Sequence, residues 1–496
     1  MAELGQDAGR LEHDRNRAAG NGQAQVLLGV GAMAGTAESV AVPMPSPGSS
    51  AGPPRDADGY PHDELVEDFR LACVSRALDD REIILQKQSR VFFQISGAGH
   101  ESLLLGLARH LRPGYDWFFP YYRDRALMLG LGVSPTDILL QSVGSGADPA
   151  SGGRQMPCHW GDPGRHVVTA SSPTGTQCLP AVGCAEAARY ISRRPQLPGC
   201  DAKGDEVTYV SLGEGATSEG EFWESLNTAC TLHLPVLYVV ADNGYAISVP
   251  SSDQAPAPVS ELARGFRGLA IHQVDGRDYF DVRRTGASAI ARIRAGEGPG
   301  LIHAIVTRPY SHSSADTQSK YRTAADLADE AGRDPILALE QALLSRGVLD
   351  PDQAVAIRAE AKATVSRAAA AALAAPRPDP ASVTDHVYVL PEIADPPEED
   401  PPDELGGPSG AASAPGSGRG AGAATGTVAP KSKGDTVAMG EAIRRTLHEI
   451  MAADERVRVF GEDVADAREA VLADVEGKGG VFGTTLGLQR EFGLAR

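Results

Sequence analysis

The sequence predicts an α/β fold, a parallel sheet with helices on both faces, followed by a truncated second α/β domain. Three observations carry this expectation. Short apolar runs (Val207–Leu212, Val236–Val240, Leu301–Val306) punctuate the chain between about residues 65 and 375. Helical apolar patterns alternate with them, as parallel strands joined by crossover helices require. A new apolar pattern begins near Thr436 and runs for only about sixty residues, too few for a complete domain of this class.

Taken in chain order, residues 1–62 are rich in Gly, Ala, Pro and Ser and poor in large apolar side chains. Such a segment buries too little surface to offset chain entropy and is expected to be disordered. Order should start near Leu65, because Leu65, Phe69 and Cys73 share one helical face. The first folded domain is expected over 63–375. Residues 376–433 read as a linker: an acidic, Pro-rich piece from Pro391 to Pro402 leads into Gly/Ala/Ser-rich sequence from Gly406 to Gly426. In the final segment, 434–496, Ile443, Leu447 and Ile450 form an apolar helix stripe, and Val457, Val459 and Phe460 a strand pattern.

The 496 residues carry a formal net charge of -19. Nucleic acid and anionic membrane both need a basic face, so neither is expected as the main partner. A small anionic ligand needs only a few local cations and stays open. The six cysteines (Cys73, Cys158, Cys178, Cys184, Cys200, Cys230) form no CxxC pair and no zinc-spaced cluster. They read as free thiols in a reducing compartment. The N-terminus lacks the order of a signal peptide, and its apolar stretch from Val26 to Met33 is broken by Gly29 and Gly31. No run approaches the roughly 20 apolar residues that span a bilayer. A soluble cytoplasmic protein is expected.

The segment from Val207 to Ser248 concentrates the chemistry. Val207, Tyr209 and Val210 lead a strand into Gly213-Glu214-Gly215. Ser218 and Glu221 have the spacing of a capping box and predict a helix start, with Phe222, Leu226, Ala229 and Leu232 as its buried face. Pro235 ends that helix, and the next strand follows. The resulting βαβ unit puts Glu214 at the end of one strand and Asn243 just past the end of the next. Parallel sheets bind ligands in the crevice beyond those ends. Glu214 offers an anionic oxygen and Asn243 a neutral amide oxygen. With a backbone carbonyl and two phosphate oxygens they would complete an octahedral Mg²⁺ shell. The glycines let backbone approach a diphosphate, and a helix N-terminus adds positive potential. Taken singly, Glu214 is an ordinary turn acid and Asn243-Gly244 an ordinary turn. No GK[ST] is present, which argues against a P-loop.

In combination, GEG, ATSEGEF, a helix containing LN, and DNGYAIS resemble the thiamine-diphosphate motif of the 2-oxoacid dehydrogenase alpha chains, over roughly residues 65–345. The branched-chain members often carry GEG where others have GDG. GRQMPCHWGD (Gly153 to Asp162), SSPTGTQ (Ser171 to Gln177), FFPYYRDRA (Phe118 to Ala126) and RPYSHSSAD (Arg308 to Asp316) are similar to further segments of that family, as are Tyr321-Arg322 and RDPI from Arg333. The resemblance implies a thiamine-diphosphate-binding fold with thiamine diphosphate and Mg²⁺ as cofactors. It implies that Tyr122, Arg123 and His312 meet the diphosphate, with His312 also the catalytic candidate. Ser172 and Thr174 would face the pyrimidine half. Gly213, Glu214, Gly215, Ala216, Asn243, Tyr245 and Ile247 would surround the cofactor, with Glu214, Asn243 and Tyr245 at the metal. Two positions depart from the pattern. Ala241 stands where branched-chain members often have a diphosphate-binding arginine, and Tyr121 where they often have glutamine. Ser313 matches a serine that kinases modify in animal members.

MGEAIRRTL, DERVRVFGEDV and GGVFGTTLGLQREFG, between Asp435 and Arg496, are similar to the start of the beta chains of these enzymes. The resemblance implies an alpha–beta fusion that is cut short. The beta-side glutamate that activates the cofactor is expected beyond Arg496, and Glu462, in the earlier GEDV motif, is not given that role. The implied reaction is oxidative decarboxylation of a 2-oxoacid, with acyl transfer to a lipoyl group on a separate acyltransferase. GEG, GRQMP and SSP favour a branched-chain substrate such as 3-methyl-2-oxobutanoate, ahead of pyruvate and acetoin. Expected partners are the lipoyl-bearing acyltransferase and a beta-type chain or missing C-terminal part, in a hetero-oligomer or a homodimer of the fusion. The rival readings are a non-catalytic half-enzyme that awaits a beta chain, and a transketolase-like or decarboxylase enzyme with the same cofactor.

Overall fold

The central strands are apolar on both faces, as a parallel sheet covered by helices on each side demands. The structure, a computed structural model, describes residues 54–194, 202–385, 387, 437–461 and 463–493. All of them fall in one unit, Pro53–Arg496. Of the stretch 1–62 expected to be disordered, residues 1–53 lie outside the described residues, as do most of the expected linker, Cys200 and Glu462; residues 54–61 are placed, with a bridge between Arg55 and Pro61 and ion pairs from Asp56 and Asp58 to Arg346.

Five strands form the main sheet: β1 (Trp117–Phe119), β2 (Thr208–Gly213), β3 (Val236–Asp242), β6 (Ala270–Asp275) and β7 (Gly300–Ile305). Their order is β1-β2-β3-β7-β6, and every pairing is parallel. Two-residue strands β4 (Tyr245–Ala246) and β5 (Val249–Pro250) make a separate antiparallel hairpin. Side chains alternate across the sheet with period two. Val236, Tyr238 and Val240 enter a core shared with the helices Cys178–Ser192 and Gly220–Leu232. Leu237, Val239 and Ala241 enter the larger core, with the helices His62–Lys87, Glu101–Ala108 and Tyr279–Arg294. Leu65, Phe69 and Cys73 are buried on the first of these, as their spacing predicts.

Two strands of the main sheet went unforeseen, as did the hairpin strands β4 and β5. β1 is three residues long, and β6 reads AIHQVD with only Val274 buried. Both lie at sheet edges: β1 is apolar but too short to stand out as a run, whereas β6 keeps one face wet and so loses its apolar run. The capping box at Ser218 and Glu221 does not form. Residues Gly215–Ser218 make a 3-10 turn instead, and the helix starts at Gly220 with Glu219 as its N-cap. Ser218 Oγ accepts a hydrogen bond from Gln254 Nε2 at 2.8 Å.

Past the helix Pro351–Ala374, residues 376–385 return to the body. Gly146 N and Ser145 Oγ donate to Pro376 O at 2.9 and 2.8 Å. Residues 437–493 contain the helix Met439–Ala453, a turn at Glu469–Val471 and the short helix Leu488–Phe492. No strand occurs in this segment among the described residues, so the strand expected at Val457 to Phe460 is absent and the α/β character expected here is not seen. A strand needs neighbouring backbone to bond with, and Phe460 is 91% exposed. The stripe of Ile443 and Ile450 lies on a helix, as expected, but both side chains are exposed.

A buried ion cluster ties the first helix to the helices Arg125–Gly130 and Pro135–Ser142. Arg125 donates to Asp79 Oδ1 and Glu82 Oε2, each at 2.5 Å, and all three side chains are 0% exposed. Glu82 also accepts from Ser142 Oγ at 2.5 Å, and Asp79 from Gly97 N at 3.2 Å. Removing one partner of such a cluster leaves buried charge without compensation. Arg125→Leu should therefore cost about 3–5 kcal/mol of folding free energy, read as a lower midpoint in urea unfolding followed by tryptophan fluorescence. An unchanged midpoint would show that the cluster contributes nothing net.

Candidate cofactor site

The carboxyl ends of four parallel strands converge on one cavity of about 540 Å³. β1 runs into Tyr121, Tyr122 and Arg123, β2 into Glu214 and Gly215, and β3 into Asn243 and Tyr245. β7 runs into Arg308 and the loop that carries His312. Gly213 pairs with Ala241, so β2 and β3 end nearly level and Glu214 faces Asn243. Each residue that the sequence singled out lines this cavity: Tyr122, Arg123, Ser172, Thr174, Gly213, Glu214, Gly215, Ala216, Asn243, Tyr245, Ile247 and His312. At Gly215 a Cβ would come within 2.7 Å of Ala246 Cβ, so only glycine lets the β2 turn meet the hairpin this closely.

Glu214 is buried. Its Oε2 accepts long bonds from Asn243 N and Nδ2, at 3.3 and 3.4 Å, while Oε1 has no hydrogen-bond partner. Asn243 Oδ1 is likewise buried without a partner. Buried acceptors are normally satisfied, and two orphaned oxygens of different charge, side by side, fit a hard cation such as Mg²⁺. Burial, aided by the charge of Asp242, pushes the Glu214 carboxyl up to about 8. Tyr245 directs its hydroxyl to Asp326 Oδ2 at 3.3 Å, so any ligation by this residue falls to its backbone carbonyl. Among the described residues no group of three or more His, Cys, Asp or Glu is placed to hold a metal by itself, and a cation here would need oxygens from its ligand.

The opposite side of the cavity is cationic. Arg123 is 2% exposed and donates to Ser96 O at 2.5 Å, while its Nη2 lies 3.0 Å from His312 Nδ1. A guanidinium can only donate, so Nδ1 accepts and the proton of the neutral ring sits on Nε2. The ring stays neutral because burial, and then the charges of Arg123, Arg308 and Lys478, hold His312 well below the usual histidine range. Its Nε2–H is thus a donor suited to a phosphate oxygen. Ser172 forms a 2.5 Å hydrogen bond with His159 Nε2. Ile247 has φ 55°, a left-handed conformation that disfavours a β-branched residue.

Two residues of this region escaped the reading. His159 lines the cavity and orders Ser172; it lay inside the GRQMPCHWGD match but carried no separate signal. Arg308 is 1% exposed and donates from Nη2 to Tyr321 OH at 2.8 Å, while its Nε and Nη1 have no partner. Ala241, where an arginine was missed, is a 1% exposed strand residue in the larger core. Tyr121, the other departure, is buried with its hydroxyl 3.3 Å from His100 Nδ1. Ser313 is only 7% exposed.

A parallel sheet whose strand ends gather an acid–amide pair, buried arginines and a neutral histidine is the frame of an α/β enzyme whose crevice suits an anionic ligand. The family model described as "Dehydrogenase E1 component" matches residues 69–381, and the chain belongs to that family. The family is thiamine-diphosphate-dependent in general. The chain is 35% identical over 331 residues to the 2-oxoisovalerate dehydrogenase subunit alpha of Bacillus subtilis (strain 168), covering 66% of this chain and 97% of that protein. It is 31% identical over 337 residues to the mitochondrial 2-oxoisovalerate dehydrogenase subunit alpha of Mus musculus, covering 68% and 73%. It is 33% identical over 293 residues to the 3-methyl-2-oxobutanoate dehydrogenase subunit alpha of Mycobacterium tuberculosis (strain ATCC 25618 / H37Rv), covering 58% and 74%.

The raised Glu214 value has a definite sign. The folded chain binds the Glu214 proton more tightly than the unfolded chain does, so metal-free stability falls as pH rises from the ordinary carboxyl value through about 8. The full effect is up to about 5 kcal/mol. Glu214→Gln should therefore stabilise the metal-free protein at pH 9 and leave it nearly unchanged at pH 4. Thermal unfolding across this range checks the expectation, and a pH-independent difference would contradict it.

Proposed function

We propose that this chain binds thiamine diphosphate through Mg²⁺ and serves as the alpha part of a branched-chain 2-oxoacid dehydrogenase, oxidising 3-methyl-2-oxobutanoate. The observation that carries the reading is the pair of orphaned oxygens, Glu214 Oε1 and Asn243 Oδ1, set at the strand ends opposite Arg123 and His312. The names of the relatives, which refer to 2-oxoisovalerate and 3-methyl-2-oxobutanoate, support the substrate.

Glu214, Asn243 and the carbonyl of Tyr245 would hold the metal. Arg123 and His312 would meet the diphosphate. Arg308, buried beside Tyr245 with Nε and Nη1 unpartnered, would add positive potential where Ala241 does not. Ser172 and Thr174 would face the pyrimidine half. When bound, thiamine diphosphate supplies the electron sink on which a 2-oxoacid can lose CO₂. The protein fixes its diphosphate, keeps His312 neutral as a donor and encloses the site. The beta-type character of 437–493, a partner beta chain or remaining beta part, a lipoyl-bearing acyltransferase as acceptor and a cytoplasmic setting belong to the same proposal. The five described cysteines are free thiols, which supports that setting. Among the described residues no helix is long and apolar enough to cross a membrane.

Calorimetry with thiamine diphosphate and Mg²⁺ tests the site. Glu214→Ala or Asn243→Ala should abolish Mg²⁺-dependent binding, and unchanged affinity in either would sink the assignment. Arg308→Met should weaken binding by about tenfold or more, because its positive potential is lost. For the reaction, oxidation of 3-methyl-2-oxobutanoate and of pyruvate is followed with an artificial acceptor, with and without a beta-type partner. Faster turnover of the branched acid, and only with the partner, is expected; faster turnover of pyruvate would reassign the substrate.

A further inference from the structure

Two walls of the cavity lie outside the five-stranded sheet: the hairpin of β4 and β5, which carries Ile247, and the loop that carries His312. Both are gripped by the C-terminal segment. Ser248, next to Ile247, is buried, and its N–H donates to Asp463 Oδ1 at 3.2 Å across a separation of 215 residues. The Ser248 hydroxyl donates to the same oxygen. Asp463 Oδ2 accepts from Lys478 Nζ at 2.8 Å, and this Nζ also lies 3.0 Å from Asp316 Oδ1. Asp316 Oδ2 in turn accepts from His312 N at 2.8 Å and from Tyr321 OH at 2.7 Å. The Lys478 side chain is 4% exposed, and those of Asp316 and Asp463 1% each. Gly477 N donates to Lys320 O at 2.8 Å, and Ala467 and Val475 pack on Tyr321 beside Tyr245.

We infer that Lys478 is a positioning residue for the cofactor cavity: by bridging Asp463 and Asp316 it fixes the Ile247–Ser248 turn and the His312 loop in one arrangement. A lysine buried between two carboxylates is held only where its geometry is well satisfied. Without it, two like charges face each other out of water. The strained backbone at Ile247 also has to be over-determined by its surroundings, and the bonds from Ser248 to Asp463 do this. The same stretch has a second anchor, Ser314 N to Gln94 O at 2.7 Å, and the bridge holds Asp316 and, through it, the N–H of His312. The link to cofactor affinity rests on the proposed function; the ordering of the loops does not.

Hydrogen exchange of the full chain without cofactor separates the two. Lys478→Met should raise amide exchange about tenfold or more at residues 246–249 and 310–317, while the helix His62–Lys87 keeps its protection. It should also weaken thiamine diphosphate binding about tenfold in calorimetry with Mg²⁺, by the ordering cost that is no longer met in advance. Lys478→Arg should restore most of both effects. Asp463→Asn tolerates the left-handed backbone at φ 54° and should loosen the same residues; it decides the matter if Lys478→Met fails to fold. Unchanged exchange at both loops, or an equal rise across the whole chain, overturns the inference. If the wild type takes no thiamine diphosphate yet the variants loosen only these loops, the positioning role stands and the cofactor reading fails.

Discussion

The register between β2 and β3 is the constraint on which the site depends. Gly213 opposite Ala241 makes the two strands stop nearly together, so that Glu214 and Asn243 face one another. A slip by one residue would turn Tyr238 and Val240 from one core to the other and separate the two oxygens. Because β2 and β3 are apolar on both faces, each core enforces the register independently. The helices thus do more than cover the sheet. They specify, through packing, where an acid and an amide end up.

Charge in the cavity is organised by what each group lacks. Glu214 has no cation in contact, and burial pushes it up. Asp316 is also penalised by burial, but the bond from Tyr321, the Lys478 charge and the His312 N–H pull it below the usual carboxylate range. One carboxyl is left without a counter-charge; the other stays ionised as a fixed strut. On the cationic side, burial, and then the charges of Arg123, Arg308 and Lys478, keep His312 neutral and so make it a donor without a counter-charge. The folded chain therefore sets an unmet acceptor pair, Glu214 Oε1 and Asn243 Oδ1, in the same cavity as Arg123 and a neutral histidine.

Much of this was legible in sequence because it obeys local periodicity. The runs at 207–212, 236–240 and 301–306 announce two-sided strands, and the loops after them carry the motif residues. β6 was illegible because an edge strand with one wet face loses its apolar run. The Ser218–Glu221 spacing misled because the chain closes a 3-10 turn first, which puts Ser218 in the turn instead of at the cap. Arg308 and Lys478 carried no signal as buried cations, since an isolated basic residue reads as surface. Only the tertiary fold reveals that Tyr321 and two distant aspartates receive them.

The C-terminal segment shows how a weakly packed piece can still matter to a site. Its main helix exposes Ile443 and Ile450, and no strand forms in it among the described residues, so it adds little to the hydrophobic core. Its hold on the rest comes through a few buried polar contacts and the small cluster around Tyr321. Such contacts add modestly to total stability, because desolvation offsets most of their attraction. They are directional, however, and apolar packing is not. A lysine that must satisfy two aspartates accepts very few loop geometries, whereas a leucine in its place would accept many. The same polar economy that makes the segment a poor source of stability makes it a good source of position, and the residues that it positions are those that wall the cavity.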